Sequence, residues 1–260
     1  MLKIPIFQID AFTGKLFAGN PAAVCPLHSW LSEEILQAIA AENNLSETAY
    51  FVPQGRDYRI RWFTPATEVD LCGHATLAAG FVLCSFIEPS HREVNFLSKS
   101  GPLRVTRDGE LFSLDFPARE PGPCEPPDKL AKALGRPPKQ VLAARDYLAV
   151  YDSEEEVRSL QPDMELLRDL PRFAVIVTAP GRNCDFVSRF FAPAQGIPED
   201  PVTGSAHCTL IPYWGKRLGK SKLHAFQVSP RGGELFCENQ GDRVIISGRA
   251  VKYLEGTIEL

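Results

Sequence analysis

The chain lacks the features that mark nucleic-acid-binding and membrane-spanning proteins. Its 260 residues include 28 Lys and Arg against 32 Asp and Glu, a net charge of −4. No basic run or stripe is present that could neutralise phosphate groups. No apolar run approaches the length that a membrane-spanning helix needs. We therefore expect a protein that binds neither nucleic acid nor a membrane.

Paired cysteine spacings and phosphate-binding glycine loops are also missing. The seven cysteines are an odd number and are scattered along the chain, which favours reduced thiols in a cytoplasmic protein over a disulfide framework. A metal site built from Cys72, His74, His207 and Cys208 would match no common zinc spacing. No Gly-x-Gly-x-x-Gly or P-loop occurs. We therefore predict neither a metal nor a nucleotide cofactor.

An internal repeat is the most informative feature that is present. Segments 57–65 and 185–193 share Asp, Arg, Phe and Pro at a constant offset of 128 residues. Farther on, Gly73-His74-Ala75 aligns with Gly204-Ser205-Ala206. Each half then continues as a helix, a strand and a hairpin, the first turning at Asp108-Gly109. The period is too long for a solenoid. It predicts two similar domains related by a pseudo-twofold, with the helix starts facing one another across a cleft.

The proline-rich segment 116–127 marks the best domain boundary. We predict domains at 1–116 and 117–260, with the option that the last strand crosses back to the first domain. Strands with one long helix per repeat, joined by hairpins, predict an α+β fold. In that fold each of the two pseudo-symmetric domains is a β half-barrel wrapped round a central helix.

The stretch 196–210 places two carboxylates, Glu199 and Asp200, before the second helix. A helix start presents unpaired N–H groups and positive potential, which suit an anion. Asp200 either shapes the turn before a proline, orients a substrate amine, or acts as the acid–base partner of His74. Ser205 is either an ordinary helix-start serine or a ligand of a substrate carboxylate, together with the amides of Gly73 and Gly204.

Glu47 and His74 are the candidate acid–base residues. Glu47 is flanked by apolar residues, and such surroundings suit a carboxylate that must both take and give a proton; the alternative is a surface glutamate. His74 follows Gly73 at a helix start, whose positive end we expect to lower the imidazole pKa and favour the neutral form. The alternative is a first-turn histidine that bonds a nearby carbonyl. Asn20, in Gly19-Asn20-Pro21, is a turn residue or a substrate contact.

Cys72 opens a different mechanism, in which two cysteines facing one another make a racemase. The repeat places Thr203 opposite Cys72, and threonine cannot serve as the second acid. Cys208 lies five residues beyond Thr203, on the helix rather than at its start. The sequence therefore disfavours the cysteine pair, and it leaves a non-catalytic binding protein on the same fold as a further alternative.

These residues resemble the PhzF family, the phenazine-biosynthesis isomerase-like proteins. Matching blocks are spread over essentially the whole chain. They are Ile9-Asp10-Ala11-Phe12, Gly19-Asn20-Pro21-Ala22, Asn44-Leu45-Ser46-Glu47-Thr48-Ala49, Phe63-Thr64-Pro65, Cys72-Gly73-His74-Ala75-Thr76 and Glu199-Asp200-Pro201-Val202-Thr203-Gly204-Ser205-Ala206. The resemblance implies a diaminopimelate-epimerase-like fold, a homodimer, and catalysis without a cofactor.

The resemblance also implies residue roles. Glu47 matches the family's acid–base glutamate, which in the phenazine enzyme moves a proton between carbons of a cyclic dihydro-hydroxyanthranilate-type substrate. His74, Asp200 and Ser205 match substrate-binding and proton-handling positions, while Gly73 and Gly204 match donors of backbone amides. Family membership does not identify the substrate. We therefore expect a cytoplasmic isomerase that moves a proton on a small carboxylate-bearing metabolite.

Overall fold

The computed structural model describes all 260 residues, which form two compact units. Unit 1 comprises residues 1–115 and 247–260, and unit 2 comprises residues 116–246. The sequence-based division 117–260 therefore differs from unit 2 in its last segment, because residues 247–260 cross back to unit 1. None of the helices has both the length and the apolar character needed to cross a membrane.

Unit 1 is a long sheet with two helices. Its strands are β1 (Lys3–Ala11), β2 (Asn20–Pro26), β3 (Glu47–Gln54), β4 (Asp57–Phe63), β5 (Glu68–Val69), β6 (Glu93–Ser98), β7 (Gly101–Asp108), β8 (Leu111–Pro117) and, from the end of the chain, β17 (Ala250–Glu259). Its helices are α1 (Glu33–Asn43) and α2 (Gly73–Val82), and α2 continues as a π-helical turn, Leu83–Ile87.

Strand pairing in unit 1 follows the order β17–β1–β2–β3–β4–β6–β7–β8. The β2–β3 and β4–β6 pairs are parallel, and the other pairs in this order are antiparallel. The turn predicted at Asp108-Gly109 joins β7 to β8, with Gly109 at a positive φ of 59°. That turn prediction is confirmed.

Helix α2 lies inside the curved sheet of unit 1. Eight of its ten residues are buried, all except Gly73 and Phe81. A helix that is buried on nearly every side must be enclosed by other elements, and α2 contacts β1, β2, β3, β7 and β17. The predicted half-barrel wrapped round a central helix is therefore confirmed for this unit.

Unit 2 contains seven strands and part of an eighth, with four helices. The strands are β9 (Gly122–Pro123), β10 (Gln140–Ala143), β11 (Tyr147–Val150), β12 (Val175–Pro180), β13 (Phe186–Phe191), β14 (Lys222–Gln227), β15 (Gly233–Asn239) and β16 (Arg243–Gly248), the last of which ends beyond the unit. The helices are α3 (Lys129–Ala133), α4 (Glu154–Ser159), α5 (Met164–Arg168) and the long α6 (Gly204–Leu218); a 3-10 turn spans Pro193–Gln195.

The strand pairings of unit 2 repeat those of unit 1. The order β10–β11–β12–β13–β14–β15 runs antiparallel, parallel, antiparallel, parallel, antiparallel, as does β1–β2–β3–β4–β6–β7. Helices α2 and α6 both begin at the glycines that the alignment matched, Gly73 and Gly204. The internal repeat predicted from the sequence is thus a repeat of topology.

Gly80 allows α2 to approach β7 closely. A Cβ atom at this position would lie 2.6 Å from Cγ1 of Val105, which is well inside van der Waals contact. Val105 is a β-branched residue with 0% exposure, so its side chain has little freedom to move away. The distance between helix and sheet is therefore set by the absence of a side chain at residue 80.

We predict that Gly80→Ala destabilises the wild-type chain but stabilises the Val105→Ala variant. Overpacking costs about 1–3 kcal/mol, which should outweigh the gain of about 1 kcal/mol in helix propensity. Removing the Val105 methyl groups leaves room for the new methyl, so only the gain remains. Urea unfolding of the two single variants and the double variant measures this coupling. Gly122→Ala, where a Cβ meets nothing within 4 Å, is the matched control; equal losses in both backgrounds would contradict the prediction.

Candidate active site

Four of the predicted site residues lie together in unit 1. Asn20 begins β2 and Glu47 begins β3, and these two strands pair in parallel with Ala22 opposite Glu47. Because neighbouring parallel strands start at the same edge of a sheet, both side chains belong to one edge. Gly73 and His74 are the first two residues of α2, which packs on both strands.

His74 is the centre of this group. Its Nε2 lies 3.1 Å from Oε2 of Glu47, and its Nδ1 lies 3.1 Å from Nδ2 of Asn20 and 3.6 Å from Sγ of Cys72. Asn20 in turn accepts a hydrogen bond from the Ser46 hydroxyl at 3.3 Å. Asn20, Glu47 and His74 are all buried. The imidazole therefore has a carboxylate beside one nitrogen, and an amide and a thiol beside the other.

The pKa of His74 is shifted in the direction opposite to the prediction. Burial lowers it, but the neighbouring Cys72 and Glu47 raise it, so that it lies well above its ordinary value. A helix N-terminus disfavours a nearby cation by about 0.3–1 kcal/mol. Opposite unit charges at 4 Å attract by about 4 kcal/mol at an effective dielectric constant of 20. The neighbouring Cys72 and Glu47 therefore outweigh the helix start, and the expected lowering of the His74 pKa was wrong.

Cys72 stays a thiol in this arrangement. Burial, followed by the charge of Glu47, raises its pKa above the ordinary value, although His74 acts in the opposite direction. A neutral thiol is a weak base. Glu47 therefore acts on both groups: it raises the pKa of the His74 imidazole and that of the Cys72 thiol.

Asn20 was predicted as a turn residue or a substrate contact, and the structure places it fully buried against His74. When His74 is neutral, the Asn20 amide nitrogen can donate to Nδ1. When His74 is protonated, rotating the amide by half a turn lets its oxygen accept from Nδ1–H while its nitrogen faces Ser46. Asn20 can thus hold the ring in the same place in both protonation states.

The facing atoms of the Glu47–His74 pair are not engaged in well-aligned hydrogen bonds. Oε2 of Glu47 and Nε2 of His74 are both buried without a partner in hydrogen-bond geometry, although they lie 3.1 Å apart. The side chain of Glu47 keeps 11% of its surface exposed. The pair thus combines a charge-stabilised carboxylate with capacity for further hydrogen bonds, as a proton-transfer group needs.

The other three predicted residues, Asp200, Gly204 and Ser205, lie together in unit 2. Oδ2 of Asp200 accepts a hydrogen bond from the hydroxyl of Thr203, and Thr203 is the N-cap residue of α6. Gly204 is buried, and Ser205 is partly exposed. Asp200 therefore fixes the turn that leads into the helix, which was one of its predicted roles.

Gln227 was not predicted, yet it organises this turn. Its Oε1 accepts from the Thr203 amide at 2.8 Å, and its Nε2 donates to the Asp200 carbonyl at 2.8 Å and to the Thr203 hydroxyl at 3.1 Å. Gln227 ends β14, more than twenty residues after the turn. No local sequence signal identifies a glutamine whose hydrogen-bond partners lie in a loop so far away in the sequence.

Glu199, the second carboxylate of the same loop, has a structural role. Arg189 donates to both of its oxygens, at 2.7 and 3.0 Å. The same guanidinium also donates to the carbonyls of Val157 and Leu160. Glu199 is thus tied to a buried arginine, and only Asp200 of the two carboxylates belongs to the helix start.

The two repeats differ at the position of the candidate acid–base residue. Tyr50 pairs with Arg61 in unit 1, and Val177 pairs with the matching Arg189 in unit 2. Counting back three residues from Tyr50 and Val177, the counterpart of Glu47 is Ala174. An ionisable group at this place is therefore present in one repeat only.

The possible metal ligands in the structure differ from the set considered from the sequence. Ligand atoms of Glu47, Cys72 and His74 lie within 4.8 Å of one another, whereas Nδ1 of His207 contacts the Thr203 carbonyl at 2.8 Å. Glu47 approaches Nε2 of His74 and Cys72 approaches Nδ1. A metal bound through one ring nitrogen would leave one of these ligands beside the other nitrogen, so the arrangement suits a proton relay better than a metal centre.

Comparisons with known proteins agree with this fold. A family model for phenazine biosynthesis-like proteins matches residues 9–256. A Pseudomonas aeruginosa protein named as an uncharacterized isomerase is 52% identical over 259 residues, covering 100% of both chains. A crystal structure of a PhzF-family phenazine biosynthesis protein from Enterococcus faecalis matches with a TM-score of 0.98 at 48% identity, again covering 100% of both chains.

A hydroxyproline epimerase from Agrobacterium vitis shares the fold more distantly, with a TM-score of 0.62 at 12% identity over 98% of this chain and 92% of that one. At this identity the similarity concerns the fold alone. It places the chain among the epimerase-like folds, as the resemblance to the PhzF family implied.

We predict that the pKa of His74 depends on the charge of Glu47. The wild-type imidazole should titrate above the ordinary value near 6.5, and Glu47→Gln should lower its pKa because the attracting carboxylate is lost. Imidazole ¹⁵N chemical shifts followed against pH measure both values. His207 is the internal reference, since burial lowers its pKa to about 4. An unchanged His74 titration in Glu47→Gln would contradict the prediction.

The same shift predicts how stability depends on pH. A group whose pKa is raised by folding stabilises the folded chain fully below its unfolded pKa, about 6.5 for histidine. That contribution is lost as the pH rises through the folded pKa. We therefore expect the stability advantage of wild type over Glu47→Gln to shrink above pH 6.5, as measured by urea unfolding across the pH range.

Proposed function

The chain belongs to the phenazine biosynthesis-like family, and we propose that it is an isomerase that moves a proton between carbons of a small carboxylate-bearing metabolite. Relatives named as isomerases support this type of reaction. The observation that carries the proposal is the buried Glu47–His74 pair, with 3.1 Å between Oε2 and Nε2. In this pair the imidazole of His74 lies beside the Glu47 carboxylate, whose Oε2 atom has no partner in hydrogen-bond geometry.

Glu47 is the proton carrier in the proposed reaction. Its carboxylate removes a proton from one carbon of the substrate, and the electron pair of that C–H bond shifts within the substrate. The resulting carboxylic acid then returns the proton to a second carbon, so the carboxylate is restored and no net oxidation occurs. His74, whose pKa is raised well above its ordinary value, lies 3.1 Å from the Glu47 carboxylate and stabilises negative charge on it.

The start of α6 supplies the proposed binding groups in unit 2. The helix begins with unpaired backbone N–H groups at Gly204 and Ser205, which suit a substrate carboxylate. Asp200, Thr203 and Gln227 hold the preceding turn through buried hydrogen bonds. In this proposal Ser205 contacts the substrate, and Gly73 contributes a corresponding amide at the start of α2.

The alternative carrier is Cys72, which would make the protein a racemase or epimerase. Its Sγ lies 3.6 Å from Nδ1 of His74, so it could exchange a proton with the ring. Burial nevertheless raises the pKa of the Cys72 thiol, and its counterpart in the repeat is Thr203. The structure therefore favours Glu47 as the carrier.

We predict that Glu47→Gln strongly slows proton transfer. Wild-type protein is incubated in D₂O with a panel of cyclic and acyclic carboxylic acids, and isomerisation and deuterium incorporation are followed by NMR. Loss of a general acid–base group should slow both about 10²- to 10⁴-fold. Wild-type rates in Glu47→Gln would refute the role of Glu47.

Cys72→Ser separates the two candidate carriers. If Glu47 carries the proton, this variant keeps measurable isomerisation and exchange, whereas the thiol mechanism predicts their loss. Circular dichroism and the melting temperature of each variant show whether the fold is retained. A ligand that binds the wild-type protein without any exchange would instead favour a non-catalytic binding protein.

A further inference from the structure

A turn in unit 2 carries an ion pair between Arg145 and the buried Asp146, which the proposed function does not use. Residues 144–146 join β10 to β11, and Asp146 has 0% exposure. Nε and Nη2 of Arg145 donate to the two oxygens of Asp146, each at 2.9 Å. A buried carboxylate is costly unless it is paired and hydrogen-bonded. Asp146 is therefore bound to the guanidinium by two parallel hydrogen bonds, which fix its plane.

Neighbouring groups fix this turn further. The guanidinium carbon of Arg145 lies 4.3 Å from the centre of the Phe173 ring. Nη1 of Arg172 donates to the Ala144 carbonyl at 2.6 Å, and its guanidinium lies over the Tyr147 ring at 5.2 Å. Arg145 is thus held on a rigid support rather than on a free surface loop.

The fixed guanidinium reaches the start of α6. Nη2 of Arg145 donates to Oγ of Ser205 at 3.2 Å. Because the Ser205 oxygen accepts this bond, its own hydrogen is free to donate elsewhere. Nη1 of Arg145 makes no hydrogen bond within the protein, and 32% of the side chain is exposed. Two N–H donors and one O–H donor therefore remain available side by side.

The same connection exists in unit 1 with different chemistry. There the residue that leads into β2, Asn20, contacts His74, the second residue of α2. In unit 2 the turn that leads into β11 contacts Ser205, the second residue of α6. In both units the segment at the start of the strand thus contacts the second residue of the central helix, through a neutral amide in unit 1 and through an arginine paired with Asp146 in unit 2.

We propose that Arg145 is a specificity-determining residue that binds the substrate carboxylate through Nη1, with the Ser205 hydroxyl as second donor and Asp146 as a positioning residue. The inference rests on the proposed function, because it assigns the carboxylate preference of that function to a named charge. An N–H group of a guanidinium donates a charge-assisted hydrogen bond, which is stronger to a carboxylate than to a neutral isostere of the same shape.

The test compares benzoate with benzamide, a neutral probe of the same shape, as ligands of the full chain. Isothermal titration should show that wild type prefers benzoate, and that Arg145→Gln loses roughly 10- to 100-fold in benzoate affinity while benzamide binding stays unchanged. Arg145→Lys keeps the positive charge but lacks the two nitrogens that bond both oxygens of Asp146, so the charge is held less firmly. We expect its preference for benzoate over benzamide to be intermediate. Arg182→Gln, which removes an exposed arginine paired with Glu155, should bind both probes as wild type does.

Arg145→Gln leaves the buried Asp146 carboxylate without its partner. The double variant Arg145→Gln/Asp146→Asn guards against misfolding, because it also removes that buried charge. It should fold and also lack the preference for benzoate. A preference retained in either variant, or no preference in wild type, would overturn the proposal. Deuterium exchange in Glu47→Gln is measured separately, so failure of the proposed reaction and failure of this binding role give different results.

Discussion

A buried carboxylate needs a partner that compensates its charge. In unit 1 that partner is His74, buried and 3.1 Å from Glu47. The pair is tolerable inside the protein because each charge compensates the other. The start of β3, the start of α2 and the amide of Asn20 all serve to hold it. The strands that enclose α2 hold the helix, and the bare backbone at Gly80 allows its close approach to β7.

The two repeats share a scaffold but carry different polar residues on it. Both have a central helix that begins at a glycine, and both have the same alternation of parallel and antiparallel strand pairs. At the second residue of the helix, unit 1 has His74 and unit 2 has Ser205. Unit 1 has the ionisable Glu47 where unit 2 has Ala174, and unit 2 has the Arg145–Asp146 pair in the turn before β11. Duplication thus preserved the positions while their chemistry diverged.

Much of the fold was predictable because its signals are local or repeated. The helix starts, the hairpin at Asp108-Gly109 and the repeat were visible in residue type and spacing. The direction of the His74 pKa was not, because Cys72 and Glu47 raise it only once folding places both beside the buried ring. Gln227 and Arg145 were missed for the same reason: each acts through contacts made only after strands from distant parts of the chain have paired. That residues 247–260 belong to unit 1 was predicted only as one option, because the sequence does not show which strand the last one pairs with.

The asymmetry between the repeats limits the mechanism that this fold can carry here. A racemase that inverts a carbon needs one group to remove a proton and another to deliver one from the opposite face. With Thr203 as the counterpart of Cys72 and Ala174 as the counterpart of Glu47, neither candidate carrier has an ionisable equivalent in the second repeat. A single carboxylate that removes and returns the proton acts from one face of its substrate. Glu47 therefore fits transfer between two carbons of one molecule better than inversion at one carbon.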